Sequence, residues 1–254
     1  MQDEVVTVTS FLSSKPIPIR ERLILALDVP GVEEAKNLVE TLGDSVEFYK
    51  LGLQIFMAGG YYELIEWLRN RQKQVFVDLK FFDVPETVKS AVMQLKNREA
   101  RFATVHGNDS ILQAAVENKN GLKILAVTVL TSLDQNDLND LGFKCDIPAL
   151  VHSRARRALQ LGCDGVISSG LEVERLRREL GDRFLVVVPG IRPVKNTDDQ
   201  KRTVNVEEAF LNGADYIVVG RPIRNAANPR TEAESFQNRI ARVFSGSAGG
   251  VSLA

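Results

Sequence analysis

Eight short apolar runs, spaced at roughly 30-residue intervals, constrain the fold of this chain more than any other feature. They are too short and too continuously apolar for half-exposed antiparallel strands, and they are typical of parallel strands buried on both faces. The runs cover residues 23–27, 46–51, 75–77, 102–105, 124–130, 165–167, 184–188 and 216–219.

Amphipathic stretches separate these runs and predict helices. Apolar residues recur at helical spacing from Val32 to Leu42, and Gly43 supplies a C-terminal stop. Asn205 and Glu208 have the spacing of a capping box. Eight strand-then-helix units predict a single-domain α/β protein, a closed (β/α)8 TIM barrel over residues 21–244. The alternative, an open doubly wound sheet, usually has a glycine-rich fingerprint after its first strand, and residues 28–31 do not form one.

Composition excludes several classes of protein. The 32 basic and 33 acidic residues leave a net charge of -1, which gives no general attraction for nucleic acid or an anionic membrane. No apolar run approaches the ~20 residues that cross a bilayer, and the first residues are acidic where a secretory signal is basic. Two cysteines and two histidines without zinc-site spacing predict no metal and a cytoplasmic protein with reduced thiols.

The two ends of the chain are expected to lie outside the barrel. Residues 1–20 precede the first strong strand and are predicted to be an N-terminal extension. Residues 245–254 are rich in Ser and Gly and are predicted to form a flexible tail.

Charged residues gather where the first three runs end, which is the end of a barrel that carries the active site. Asp78 and Lys80 stand two apart and are predicted to face the barrel interior together, with Leu79 facing the helices. Burying charges is costly unless they are paired, and a structural core would use Val or Leu there. The alternative is a structural network of ion pairs. The five charges predicted to converge are Asp28, Lys50, Asp78, Lys80 and Asp83.

Two turns of Gly, Arg and Pro follow the seventh and eighth runs, at residues 189–193 and 220–222. Loops at these two positions of a barrel often hold a phosphate group. Gly220 would let backbone N–H groups approach an anion, and Arg221 would offer a forked donor. The long polar segment 193–203 is predicted to be a lid over a phosphorylated ligand.

As a set, these motifs resemble the orotidine 5'-monophosphate decarboxylase family in its short, bacterial-type form. One departure is Glu86, which stands where the family commonly has Asn. The matching segments are Ala26-Leu27-Asp28, Tyr49-Lys50-Leu51-Gly52, Asp78-x-Lys80-x-x-Asp83, Val84-Pro85-x-Thr87, Val105-His106-Gly107, Leu130-Thr131-Ser132, Pro189-Gly190-Ile191-Arg192 and Val219-Gly220-Arg221-Pro222.

The resemblance implies a homodimer that converts orotidine 5'-phosphate to UMP and carbon dioxide, the last step of de novo UMP synthesis, without metal or organic cofactor. It implies that Lys80 donates a proton to C6 between Asp78 and Asp83, and that Asp83 and Thr87 cross into the partner subunit's site. The remaining contacts that it implies are Asp28 and Lys50 for the ribose, Thr131 and Ser132 for the pyrimidine, Arg192, Gln200, Gly220 and Arg221 for the phosphate, and Pro189 as a further substrate contact.

Two other functions are compatible with a phosphate-binding barrel. A Mg2+-dependent sugar-phosphate decarboxylase or hexulose-phosphate synthase shares the Asp-x-Lys-x-x-Asp motif but usually continues with small residues, whereas Val84-Pro85-Glu86-Thr87 follows here. A non-catalytic sensor of phosphorylated ligands would need the pocket but not Lys80.

Overall fold

The computed structural model describes residues 10–191 and 202–246. Within this part of the chain, eight parallel strands close into a barrel in their order along the sequence. The closed barrel predicted from the apolar runs is confirmed, and the doubly wound alternative is wrong. The strands are β1 (Leu23–Ala26), β2 (Phe48–Gly52), β3 (Gln74–Phe81), β4 (Phe102–Val105), β5 (Lys123–Val127), β6 (Gly165–Ile167), β7 (Leu185–Val188) and β8 (Tyr216–Val219).

Helices surround the barrel, and none of those in the described residues is long and apolar enough to cross a membrane. They are α1 (Val32–Leu42), α2 (Leu53–Met57), α3 (Tyr61–Asn70), α4 (Pro85–Leu95), α5 (Asp109–Glu117), α6 (Gln135–Asp140), α7 (Ile147–Gln160), α8 (Val173–Leu180), α9 (Val206–Leu211), α10 (Arg221–Arg224) and α11 (Pro229–Ser245). Short 3-10 turns cover Ile19–Arg22, Gly43–Ser45 and Lys96–Arg98.

The helix signals in the sequence act as predicted. Helix α1 ends at Leu42, and Gly43, which follows it, adopts a φ of 53° that a residue with a Cβ rarely takes. At the start of α9, the Asn205 side chain accepts from the Glu208 amide, and the Glu208 side chain accepts from the Asn205 amide. This capping box satisfies amide groups that a helix start would otherwise leave without partners.

Aromatic side chains fill the amino end of the barrel. Phe48, Phe102 and Tyr216 are the first residues of β2, β4 and β8, and their ring centroids lie 5.1 to 5.9 Å apart. All three are buried. Because this cluster closes one end, a ligand can enter the barrel only from the carboxyl ends of the strands.

The segment that precedes the barrel packs against this closed end. The Phe11 amide donates to the Leu211 carbonyl across 3.1 Å. Ser13 Oγ lies 2.5 Å and Lys15 Nζ 3.1 Å from Oδ1 of Asp215, a fully buried carboxylate just before β8. The buried charge is therefore compensated partly by residues that the barrel itself does not supply.

Candidate active site

The third strand carries a bulge at the predicted charged cluster. Val77 pairs with Ala103, and the next pair joins Phe81 to Val105, so residues 78–80 stand opposite Thr104 alone. Lys80 takes up the extra length with a left-handed φ of 49°. Asp78 and Lys80 both line the cavity at the barrel mouth, and Leu79 packs with Val75 and Val77 in the other cluster, as the alternation along the strand predicts.

Four charged side chains alternate in sign across the ends of β1, β2 and β3. Lys50 Nζ lies 3.3 Å from Oδ1 of Asp28 and 3.2 Å from Oδ2 of Asp78. Lys80 Nζ lies 3.0 Å from Oδ1 of Asp78. Asp78 thus has one lysine on each of its carboxylate oxygens. Such a row is mutually neutralising, so charges that would be costly to bury alone are held at the cavity floor.

Thr104 of β4 connects this row to the bulge. Its Oγ1 donates to Oδ1 of Asp78 and accepts from the Lys80 amide, each across 2.9 Å. Thr104 is fully buried, so both contacts are shielded from water. One hydroxyl therefore orients the carboxylate and satisfies the backbone amide that the bulge removes from the strand ladder.

The two innermost groups of the row are both stabilised in their charged forms. Burial alone would lower the pKa of Lys50, but Asp78 and Asp28 outweigh it and raise that pKa above 10.5. Burial alone would raise the pKa of Asp78, but Lys50, Lys80 and the Thr104 hydroxyl outweigh it and hold that pKa below 3.8. Neither group changes charge near neutral pH.

A cavity of about 400 Å³ opens above these charges at the carboxyl ends of the strands. The lining combines the charged row, two further cations at Arg221 and Arg224, and apolar and backbone surface, so the cavity suits a ligand with a flat ring and an anionic tail. Its lining is formed by Ala26, Asp28, Lys50, Phe76, Asp78, Lys80, Val129, Leu130, Thr131, Ser132, Ile167, Pro189, Gly190, Val218, Gly220, Arg221 and Arg224.

Most of the predicted site residues line this one cavity. Gly220 precedes α10, whose first two residues are Arg221 and Pro222. Arg192 and Gln200 lie outside the described residues. The predicted residues that the structure brings together are Asp28, Lys50, Asp78, Lys80, Thr131, Ser132, Pro189, Gly220 and Arg221.

Asp83 and Thr87 do not line this cavity. Strand β3 ends at Phe81, and the chain turns away before Asp83, whose Oδ1 accepts from the Val84 amide across 2.7 Å. Asp83 instead lines a second pocket, and both it and Thr87 are exposed. The expectation that five charges converge is therefore wrong within one chain, where four do.

Several residues at the site were not predicted. Thr104 was detectable as a hydroxyl inside a buried apolar run. Arg224 lines the cavity three residues after Arg221, a spacing that places both on one helix face. Arg154 and Arg202 contact the backbone beside the cavity, and no local sequence pattern marks them.

Comparisons with known proteins agree with this geometry. The family described as "Orotidine 5'-phosphate decarboxylase / HUMPS family" matches residues 21–236. Two relatives named "Orotidine 5'-phosphate decarboxylase" come from Methylococcus capsulatus and Xanthomonas euvesicatoria pv. vesicatoria. The first is 64% identical over 92% of this chain and 98% of its own length, and the second is 47% identical over 90% and 96%.

Solved structures show the same similarity. A crystal structure of orotidine 5'-phosphate decarboxylase from Lactobacillus acidophilus superimposes with a TM-score of 0.77 at 33% identity, over 87% of this chain and 99% of that one. An uncharacterized conserved protein from Geobacillus kaustophilus superimposes with a TM-score of 0.74 at 29% identity, over 86% and 99%. The family predicted from the motifs is thus confirmed, and the chain belongs to the orotidine 5'-phosphate decarboxylase / HUMPS family.

Proposed function

We propose that this protein converts orotidine 5'-phosphate to UMP and carbon dioxide, the last step of de novo UMP synthesis. This activity, predicted from the sequence, is confirmed by the family and by the name of relatives up to 64% identical. The structural observation that carries it is the row of alternating charges, Asp28, Lys50, Asp78 and Lys80, at the floor of the cavity.

Lys80 is the proton donor in this proposal. When the bond from C6 to the carboxylate breaks, its electron pair stays on C6 in an orbital that the ring π-system cannot delocalise. A cation fixed in advance is therefore the main source of stabilisation. Lys80 lines the cavity with Nζ held 3.0 Å from Asp78. Its ammonium transfers one proton to C6, which leaves a neutral amine that solvent reprotonates.

Asp78 has two roles in the proposal. It fixes the Lys80 amine, and it places a carboxylate next to the leaving carboxylate of the substrate, which raises the energy of the bound ground state. The lowered pKa of Asp78, which comes from its lysine neighbours and from Thr104 against the effect of burial, supports an ionised form throughout the working pH range.

The rest of the cavity binds the remote parts of the substrate. Asp28 and Lys50 hold the ribose hydroxyls, and Thr131 and Ser132 contact the pyrimidine. Gly220 and Arg221 bind the phosphate on the opposite side, next to Pro189, together with Arg192 and Gln200, which the resemblance assigns to the same group. Binding energy gained far from C6 can lower the reaction barrier by orienting the base.

A homodimer with shared sites completes the proposal. Asp83 and Thr87 would enter the partner's cavity, because neither lines its own. Phe82 and Val84, which flank Asp83, are 67% and 63% exposed. Exposed apolar residues beside a functional carboxylate support a subunit interface at this place. A cytoplasmic location is supported by Cys145 and Cys163, which are both free thiols.

The experiment is turnover of orotidine 5'-phosphate by the purified protein, followed by ultraviolet absorbance, with and without EDTA. We expect full activity in both conditions, and loss of activity in Lys80→Ala. A protein that does not turn over orotidine 5'-phosphate but shows Mg2+-dependent, EDTA-sensitive turnover of a sugar phosphate would support the sugar-phosphate enzyme, which the relatives do not favour. UMP binding without turnover would support the non-catalytic sensor.

A further inference from the structure

The backbone at the end of β5 is held by two arginines from other parts of the barrel. Arg154 of α7 donates from Nη1 to the Thr128 carbonyl across 2.5 Å. Arg202 donates from Nη2 to the Val129 and Leu130 carbonyls across 3.3 and 3.1 Å. Three consecutive carbonyls therefore accept from guanidinium groups immediately after the strand ends at Val127.

This backbone needs such donors because the regular ladder has ended. The last pair between β5 and β6 joins Val127 to Ile167. Beyond it, the Thr128 amide and Oγ1 donate to the Ile167 carbonyl across 3.3 and 2.8 Å. Thr128 and Val129 are buried, so their carbonyls must find partners within the protein. A guanidinium spans two neighbouring carbonyls in a way that an ammonium does not.

Both arginines are themselves fixed. Arg202 is 8% exposed, and its Nη1 lies 2.6 Å from Oε1 of Glu172, which is also buried. Arg154 lies over the Phe143 ring, 5.3 Å from the centroid. A guanidinium group whose own position is fixed by such contacts also fixes the position of the backbone carbonyls that it binds.

Thr131 and Ser132 follow these carbonyls directly and line the cavity. We propose that Arg154 and Arg202 are positioning residues that set the place of Thr131 and Ser132, and that they thereby determine recognition of the pyrimidine but not of the phosphate. The inference rests on the proposed function, in which these two residues contact the base. Gly220 and Arg221, on the phosphate side, follow β8 and belong to another part of the barrel mouth.

The test compares two ligands that differ only in the base. Dissociation constants are measured for UMP and for ribose 5-phosphate, along with kcat and KM for orotidine 5'-phosphate, in Arg154→Met, Arg202→Lys and the double variant Arg202→Met with Glu172→Gln. The double variant avoids a buried unpaired carboxylate. We expect each to weaken UMP binding about tenfold, to change ribose 5-phosphate binding less than about twofold, and to lower kcat/KM.

Arg177→Met is the matched control for lost stability. Arg177 is also buried, donates to the carbonyls of Phe184 and Gly213 and pairs with Asp215, but it lies at the closed end of the barrel. We expect it to lower the melting temperature while the folded protein keeps the wild-type ratio of UMP to ribose 5-phosphate affinity.

Equal weakening of both ligands, or no weakening of either, in the folded variants would overturn the positioning role. If the double variant does not fold, Arg154→Met and Arg202→Lys decide, because both keep a cation opposite Glu172. Wild-type turnover separates the two proposals. A wild-type protein without turnover contradicts the proposed function, whereas the ratio of the two affinities still tests the arginines.

Discussion

Oγ1 of Thr104 lies 2.9 Å from Oδ1 of Asp78, on the neighbouring strand of the barrel. Because the same oxygen accepts from the Lys80 amide, one hydroxyl contacts both of the residues that the proposed reaction places next to C6. We expect Thr104→Val, which keeps the shape and removes both contacts, to lower the unfolding free energy by about 2 kcal/mol and kcat by more than about tenfold. Urea unfolding and steady-state kinetics measure the two effects.

Ser45→Ala is the control for Thr104→Val. Ser45 is buried and donates to the Leu42 carbonyl, remote from the cavity, so its loss should reduce stability alone. Unchanged kinetics in a folded Thr104→Val protein would show that the hydroxyl does not position the reacting groups.

Removal of the Lys80 amine should abolish turnover without preventing ligand binding. We expect Lys80→Ala to reduce kcat/KM by at least about 10⁴-fold, since it deletes both the proton donor and the fixed cation. Lys89→Ala, which removes an exposed lysine paired with Glu86, should be silent. A Lys80→Ala protein that keeps one hundredth of wild-type activity would contradict the assigned role.

Arg221 should contribute to catalysis from the phosphate side of the cavity. We expect Arg221→Ala to cost about 3 kcal/mol in kcat/KM, as for a charged hydrogen-bond donor to phosphate, while its melting temperature stays near that of the wild type. Arg230→Ala, at an exposed pair with Glu234, is the control. An Arg221→Ala protein that does not fold would be contrary to this expectation.

Stability should depend on pH through Asp78 only in acid. The folded-state pKa of Asp78 is lowered below 3.8, so its ionised form adds stability that is fully present above that pH. The difference in unfolding free energy between wild type and Asp78→Asn should therefore stay constant from pH 8 to about pH 4 and diminish as pH falls further. Urea titrations across this range measure it, and a difference that already shrinks between pH 7 and 5 would be inconsistent with the charge row.

Mixed dimers can test whether Asp83 acts across subunits. Asp83→Ala and Lys80→Ala should each be inactive alone. Refolding them together in equal amounts should restore about a quarter of wild-type activity, because half the dimers are mixed and each has one intact site. If mixing restores nothing, Asp83 does not serve the partner's site.

The barrel was predictable from sequence because its strands are buried on both faces and therefore appear as uninterrupted apolar runs. The differences arise where that relation fails. The fifth apolar run continues to Leu130, but β5 ends at Val127. Beyond Val127, the backbone carbonyls accept hydrogen bonds from Arg154 and Arg202 and not from a neighbouring strand. The third apolar run ends at Val77, but β3 continues to Phe81. The run stops early because the last part of the strand carries the charged residues of the site.

The charged residues of the site could be identified from their positions at strand ends, but their partners could not. Asp78 and Lys80 are two residues apart, so their proximity is local, whereas Thr104 meets them only because β3 and β4 pair in one particular register. Arg202 meets Val129 and Leu130 from 72 positions or more along the chain. Such contacts depend on packing of the complete barrel, which a single sequence does not display.

At Lys80, the left-handed backbone conformation favours a different residue from the one that the proposed reaction requires. A φ of 49° costs a side chain with a Cβ about 1 kcal/mol, and glycine adopts it without penalty. The backbone conformation alone would thus favour glycine, but glycine lacks the side-chain amine that the proposed proton transfer requires. Stabilising substitutions in thermostable descendants of this barrel should therefore occur at other positions, because glycine at position 80 would remove the proposed proton donor.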